Sequence, residues 1–217
     1  AKRMGETTEF TASQSAEALK FLSMAGLSVT QSLKALPQML DLATAGQIDL
    51  ARAADISTNI MSQMGLKVEE LTRVNDAFVA TQASANTNIE EMSQAFIYAG
   101  TKAKDFNVDV EELSAMIGIL ANNGIKASMS GTTLRQSMQS LLTPSREAES
   151  ILAKYNITIE NADGSLRSFV DILKDLADAN LTAIETATVF SSRASNIQAI
   201  LRGGSDALEQ YIQKLKG

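Results

Sequence analysis

The residues with the most apparent capacity for chemistry lie in one stretch, ILANNGIKASMSGTTLRQSM at 119–138. Two glycines, a lysine and a run of hydroxyls lead there into an apolar-periodic segment. Such a composition suggests a phosphate ligand, because a Gly-rich loop can turn its backbone N–H groups onto an anion at a helix N-terminus. The spacing does not fit. A Gly-x4-Gly-Lys-Ser/Thr loop needs its lysine directly after the second glycine. Here Gly131 is followed by Thr132 and Thr133, and Lys126 lies between the glycines. The preceding ELSAMIGILANN reads as a helix rather than a strand. The expectation is a junction in which Gly124 closes one helix in the left-handed conformation and Ser130 or Thr132 caps the next.

Three carboxylate pairs, Glu69-Glu70, Glu90-Glu91 and Glu111-Glu112, raise the question of acid–base catalysis. Adjacent helical residues point about 100° apart, so a pair does not converge on one substrate atom. Their place in a first helical turn is accounted for by the helix dipole. Arg135, Arg193 and Arg202 could hold a phosphate or carboxylate, but lying along a helix or clamping a turn explains them equally. Nine methionines are compatible with an adaptable groove or with scattered core filler. Without histidine or cysteine, thiolate nucleophiles, imidazole bases and the common zinc sites drop out together. Seven Phe and three Tyr are too dispersed to stack single-stranded bases. The sequence assigns no catalytic, cofactor-binding or metal-binding residue, and it predicts no enzyme.

The elements that carry these residues read as helices. The chain of 217 residues is 45% apolar and 20% charged, ordinary for a globular protein with one sizeable core or two small ones. Its net charge of −6 argues against a dedicated duplex-DNA binder. No run approaches the roughly 18 apolar residues of a membrane span, and AKRMGETTEF lacks the apolar core of a signal peptide. Beginning with Ala in mid-phrase, the sequence reads as a segment of something longer, although removal of an initiator Met before Ala would leave the same start.

Apolar stripes at helical spacing run through Val110, Leu113, Met116, Ile117 and Leu120, through Leu134, Met138, Leu141 and Leu142, through Phe169, Ile172, Leu173 and Leu176, and through Leu208, Tyr211, Ile212 and Leu215. Reciprocal caps are expected at Thr11–Gln14, Ser28–Gln31, Thr87–Glu90 and Asp109–Glu112. Thr143-Pro144 ends one helix near Leu142 and places Pro144 at the first position of another. MGLKVEELTRV at 64–74 and FNVDVEELSAM at 106–116 match with a period of 42 residues, and AGLSVTQSL at 25–33 is a weaker third copy. One stretch departs from this rhythm: YNITIENADGSLRSF alternates at Ile157 and Ile159 and turns at Asp163-Gly164, which predicts a short β-hairpin over 157–168. The fold expected is mainly α, a compact multi-helix domain of helix-hairpin repeats. Residues 1–142 form the repeat core, and residues 143–217 form C-terminal helices and the hairpin, packed on that core.

The ordered phrases carry a resemblance. FLSMAGLSVTQSLKALPQMLDLATAGQIDLARAADISTNIMSQMGL, then SANTNIEEMSQAFIYAG, then LANNGIKASMSGTTLRQSMQSLLTP, then ITIENADGSLRSFVDIL resemble the core region of phage tail tape measure proteins, the phage-related minor tail protein family. The likeness covers roughly residues 5–202, and its most recognisable phrase is Gly-Ile-x-x-Ser-x-x-Gly-Thr-x-Leu-Arg at 124–135. Ala127 departs from it, where the family often has Gly. The resemblance implies that the opening loop is a helix junction, with Gly124, Gly131 and Arg135 serving the turn and fastening the following helix.

It also implies a structural protein of a phage or prophage tail, made in the bacterial host cytoplasm and resident in the virion. In that setting it supports tail length, assembly and genome ejection. The implied partners are other tape measure copies, the tail tube protein, tail assembly chaperones and the tail-tip hub, with no specific nucleic-acid site, no membrane span and no cofactor. Two other classes compete. A wall-degrading enzyme would need a cleft with convergent carboxylates, and a generic helical-repeat adaptor or peptide-binding module would need regular hairpins from end to end.

Overall fold

The computed structural model describes residues 10–216, without the side chain of Ala194. The chain divides into two compact units, Ala1–Ala80 and Thr81–Gly217. In the first, α1 (Ala12–Met24), α2 (Val29–Gly46) and α3 (Leu50–Met64) are followed by a 3-10 turn at Val68–Glu70 and by α4 (Leu71–Ser84), which runs across the boundary. The second holds α5 (Ile89–Asp105), α6 (Val110–Asn122), α7 (Ala127–Leu142), α8 (Arg146–Lys154), α9 (Phe169–Asp178), α10 (Ala183–Phe190), α11 (Ala194–Leu201) and α12 (Gly204–Lys216). The mainly α expectation is met.

Local chemistry sets the helix starts. Thr11 and Gln14 exchange backbone and side-chain bonds, as do Ser28 with Gln31 and Asp109 with Glu112. The repeated phrases enter their helices through one device. A side-chain oxygen three residues on, from Gln31, Glu70 or Glu112, accepts the N–H of Ser28, Lys67 or Asp109 at 2.9 Å in each case. At α5 the cap lies one residue later than expected: Asn88, not Thr87, accepts the Glu91 N–H at 2.8 Å. Similarly Ser145, not Pro144, marks the start of α8 by accepting the Ala148 N–H at 3.1 Å, so Pro144 lies outside the helix.

The expected stripes are buried except at Leu142 and Tyr211, which are half-buried. In the first unit Leu22, Leu36, Met39, Leu42, Ile56 and Leu71 form the core. Pro37 is tolerated inside α2, where a proline removes one backbone donor; the nearby Gln38 carbonyl accepts from the Asn75 side chain at 2.5 Å. In the second unit α5 and α7 pack along one another, and α6 is covered by α11 and α12. Phe106 meets Phe169 edge to face with centroids 5.8 Å apart, which draws the start of α9 against the end of α5.

The β-hairpin over 157–168 does not form, and no strand occurs among the described residues. Its turn is correct: Gly164 has φ +82° and donates to the Asn161 carbonyl at 3.0 Å. Its arms, however, make a single antiparallel bridge, Glu160 to Leu166. The physical reason is the ends of the segment. Ile157 N–H closes α8 on the Leu152 carbonyl at 2.9 Å, and Ser168 is already the cap of α9. Too few residues remain between them for a ladder, and two strands without a third are marginal in any case.

α10 is tied to α8 through one carboxylate. Glu185 accepts from Lys154 Nζ at 2.7 Å, from the Thr182 N–H at 2.9 Å and from the Tyr155 hydroxyl at 3.2 Å. The lysine first, and then the Thr182 bonds, hold its carboxyl down to about 2. A depressed carboxylate contributes stability that is complete above the ordinary value of 4.5 and is lost as pH falls towards about 2. The melting temperature of the wild type should therefore fall more steeply between pH 4.5 and 2 than that of Glu185→Gln, and the two should converge in acid when followed by circular dichroism.

Candidate functional site

The junction between α6 and α7 closes as its glycine suggests. Gly124 has φ +80°, and the N–H groups of Asn123, Gly124 and Ile125 return to the carbonyls of Leu120, Ala121 and Leu120 at 3.0, 3.0 and 2.9 Å. The start of α7 differs from expectation. Neither Ser130 nor Thr132 caps it: the cap position is Lys126, which makes no side-chain cap bond, and Ser130 Oγ turns back onto the Ala127 carbonyl at 2.7 Å. With the helix beginning at Ala127, Ser130 is already inside the first turn and too far along to serve the earlier N–H groups. Ala127 itself has φ +49°, a conformation that glycine adopts freely and alanine does not.

Lys126 does not reach over this helix start. Its Nζ donates to Asn86 Oδ1 at 2.9 Å and stands 3.8 Å from a Glu91 carboxylate oxygen, while the Asn86 N–H donates to Asn122 Oδ1 at 2.8 Å. The lysine and Asn122 thus fasten the α4–α5 loop to the junction. A phosphate there would meet a committed lysine and a neighbouring carboxylate.

The second glycine serves packing. A Cβ on Gly131 would lie 2.2 Å from the Ala95 carbonyl oxygen and 2.8 Å from the Ala95 Cα, so α7 crosses α5 backbone to backbone. One turn on, the Arg135 guanidinium lies 6.0 Å from the centre of the Tyr98 ring, a cation–π contact at the edge of the same crossing. Arg193 donates to Gln136 Oε1, and Asn196 Nδ2 donates to Thr133 Oγ1 at 2.9 Å, so the polar side of α7 anchors the α10–α11 turn. Arg202 lines an open groove of about 530 Å³ with Ser191, Ser192, Ser195, Gln198, Ala183 and Ala187.

Two of the three carboxylate pairs are seen to separate, and Glu91 of the third lies 3.8 Å from Lys126. Glu69 pairs with Lys34 at 3.5 Å while Glu70 turns to Lys67 and Arg73. Glu111 is buried, whereas Glu112 accepts the Asp109 N–H in the capping box of α6. Burial raises the Glu112 carboxyl, with Asp109 and Asp171 adding to the shift and the Asp109 N–H and Lys216 opposing it. Lys216 reaches Asp109 at 3.1 Å; burial lowers its pKa, but Asp109, Glu112 and Glu111 together outweigh that and raise it. No group of three His, Cys, Asp or Glu side chains among the described residues could hold a metal ion, and no helix among them is long and apolar enough to cross a membrane. One constellation escapes sequence reading. Gly118 leaves room for Tyr211, whose hydroxyl lies 3.0 Å from Ser84 Oγ, and the only signal was a glycine in mid-helix.

The polar side chains of the junction bond to neighbouring elements of the same unit. The family model described as "Phage-related minor tail protein" matches residues 1–214, and the chain belongs to that family. It is similar to a "Tape measure protein" of Pneumococcus phage Dp-1, with 29% identity over 98% of this chain and 19% of that protein. It is also similar to a "Probable tape measure protein" of Escherichia phage P2, with 27% identity over 93% of this chain and 26% of that protein. The chain therefore spans about a fifth to a quarter of the length of these relatives. No solved structure matches significantly.

Two substitutions test the junction in opposite directions. Gly131→Ala forces a methyl group into the Ala95 backbone and should destabilise the protein by about 3 kcal/mol or more, since backbone cannot yield as a side chain would. Ala127→Gly relieves the left-handed alanine and should stabilise by up to about 1 kcal/mol. Urea denaturation read by circular dichroism checks both signs.

Proposed function

We propose that this member of the phage-related minor tail protein family is a folded helical segment of a tail tape measure protein, working in the virion tail through its two units rather than as the ruler itself. Collinearity carries the reading: the family match runs through residues 1–214, and two tape measure proteins align with nearly all of this chain while extending far beyond it. The fold supports it. A straight helix rises about 1.5 Å per residue. The longest helix among the described residues, α2, has 18 residues and so spans about 27 Å. Length measurement over a tail then belongs to sequence outside this segment.

In this reading the protein sets tail length, takes part in assembly with further tape measure copies, the tail tube protein, tail assembly chaperones and the tail-tip hub, and later supports genome ejection. It is made in the bacterial host cytoplasm. Its role is structural and not enzymatic, a reading favoured by the junction's Lys126, Ser130 and Thr133, which are bonded to other residues of the same unit.

In-frame deletions in the gene of the full-length protein, scored by electron microscopy of tails, test this directly. Deletions in predicted helical sequence outside the segment should shorten tails by about 1.5 Å per residue, and deletion of the segment should abolish normal tails. Tails of unchanged number and length from every deletion would overturn the proposal in favour of the helical-repeat adaptor.

A further inference from the structure

Asn123-Gly124 is the one place in the chain where glycine follows asparagine, and the pair lies in the α6–α7 junction with both residues exposed. Such a pair is open to attack on its own side chain, because glycine places no Cβ beside the backbone nitrogen and leaves the backbone free to rotate. In an extended chain the deprotonated Gly124 nitrogen attacks Asn123 Cγ. The new N–Cγ bond closes a succinimide ring, and the Cγ–Nδ2 bond breaks to release ammonia. Water then opens the ring at either carbonyl and leaves aspartate or isoaspartate. No oxidant or reductant takes part.

The junction opposes this reaction. Asn123 has ψ 14°, which turns the Gly124 nitrogen away from the Asn123 side chain, so ring closure requires the backbone to rotate. The Gly124 N–H is held on the Ala121 carbonyl at 3.0 Å, and the Ile125 N–H on that of Leu120 at 2.9 Å. The electrophile is held as well, since Asn123 Nδ2 donates to the Ile119 carbonyl at 2.9 Å. Ring closure consumes the Gly124 N–H and expels the amide nitrogen bonded to Ile119, so the closed junction cannot react. Two tethers from outside the turn steady it: Lys126 Nζ donates to Asn86 Oδ1, and Asn122 Oδ1 accepts the Asn86 N–H.

We infer that Asn123-Gly124 is a deamidation site gated by this junction, inert while the turn is closed and reactive when it opens, with a product that resists reclosing. A carboxylate at position 123 loses the donor to Ile119 and places negative charge among the last carbonyls of α6, where the helix dipole disfavours it. Isoaspartate adds a backbone methylene to a turn whose closure depends on Gly124 at φ +80°. The junction is therefore a one-way latch: each opening exposes the pair to a reaction that deforms the turn carrying Lys126 and Asn122 to the α4–α5 loop. This inference stands apart from the tape measure reading, since it rests on the junction and its test involves no tails.

The test is peptide mapping by mass spectrometry. The 217-residue chain and a synthetic peptide of residues 119–130 are incubated side by side in mildly alkaline buffer, and conversion at Asn123 is followed by the mass gain from amide to acid. The folded chain should convert about tenfold more slowly than the peptide, or slower still, because reaction through a fast opening scales with the open population. The chain unfolded in guanidinium chloride should match the peptide. Lys126→Met removes one tether and keeps the pair; it should speed conversion by about threefold or more, with hydrogen exchange of the Ile125 amide rising by the same factor. Asn123→Asp imitates the product and should also raise exchange at Ile125. Equal rates in folded chain and peptide would overturn the proposal, as would a peptide that does not convert. So would a Lys126→Met chain that converts at the wild-type rate, or an Asn123→Asp chain whose Ile125 amide exchanges as slowly as the wild type.

Discussion

The contact between Gly131 and the backbone of Ala95 sets the geometry of the second unit. Helix pairs lie 8–10 Å apart according to the side chains at the crossing, and here one partner contributes none. The faces that meet continue in small residues: Ser93, Ala95, Ala99 and Ala103 are buried on α5, and Ser130, Thr133 and Ser137 on α7. Close approach of this kind replaces bulky interdigitation with many short backbone contacts, each weak and together substantial. It also fixes where everything else must go. α6 joins the two helices in sequence and must fold back beside them, which places Gly118 where Tyr211 of α12 can fit.

The same constraint explains why a phosphate-like composition does not make a phosphate site. Of the two glycines, one is spent on a left-handed helix end and the other on a helix crossing. The lysine holds a neighbouring loop beside a carboxylate, Ser130 Oγ bonds within α7, and Thr133 Oγ1 accepts from Asn196 of α11. Lys126, Gly131 and Thr133 each meet a partner from a distant element, whereas Gly124 and Ser130 are used within their own helices. A body assembled from many short helices presents surfaces and junctions, and its function as a tail component would lie in what those surfaces meet.

Much of the fold was legible because helix starts and stops are local physics. The boxes at Thr11, Ser28 and Asp109 need only a side chain three residues away, and Gly124 needs only its own φ. Errors arose where two neighbours could do the same job, as with Thr87 and Asn88, or where a local signal needed a distant partner to become an element. The Asp163-Gly164 turn formed as its residues dictate, yet a turn does not make strands when both flanking arms are claimed by helices. The contacts that give the candidate site its character, Lys126 to Asn86, Arg193 to Gln136 and Tyr211 to Ser84, join residues far apart in sequence. Nothing in either partner's own neighbourhood announces them. Ala127 is the opposite case: the resemblance already implied glycine at that position, and its φ of +49° supplies the physical reason glycine would suit it.

Native-state hydrogen exchange, resolved by residue, tests most directly whether the α5–α7 crossing holds the second unit together. Amides of α5 near Ala95 and of α7 near Leu134 should exchange only through global unfolding of that unit, while α10 and α12 open at lower free energy. Amides at the crossing that exchange as readily as those of α10 or α12 would contradict it.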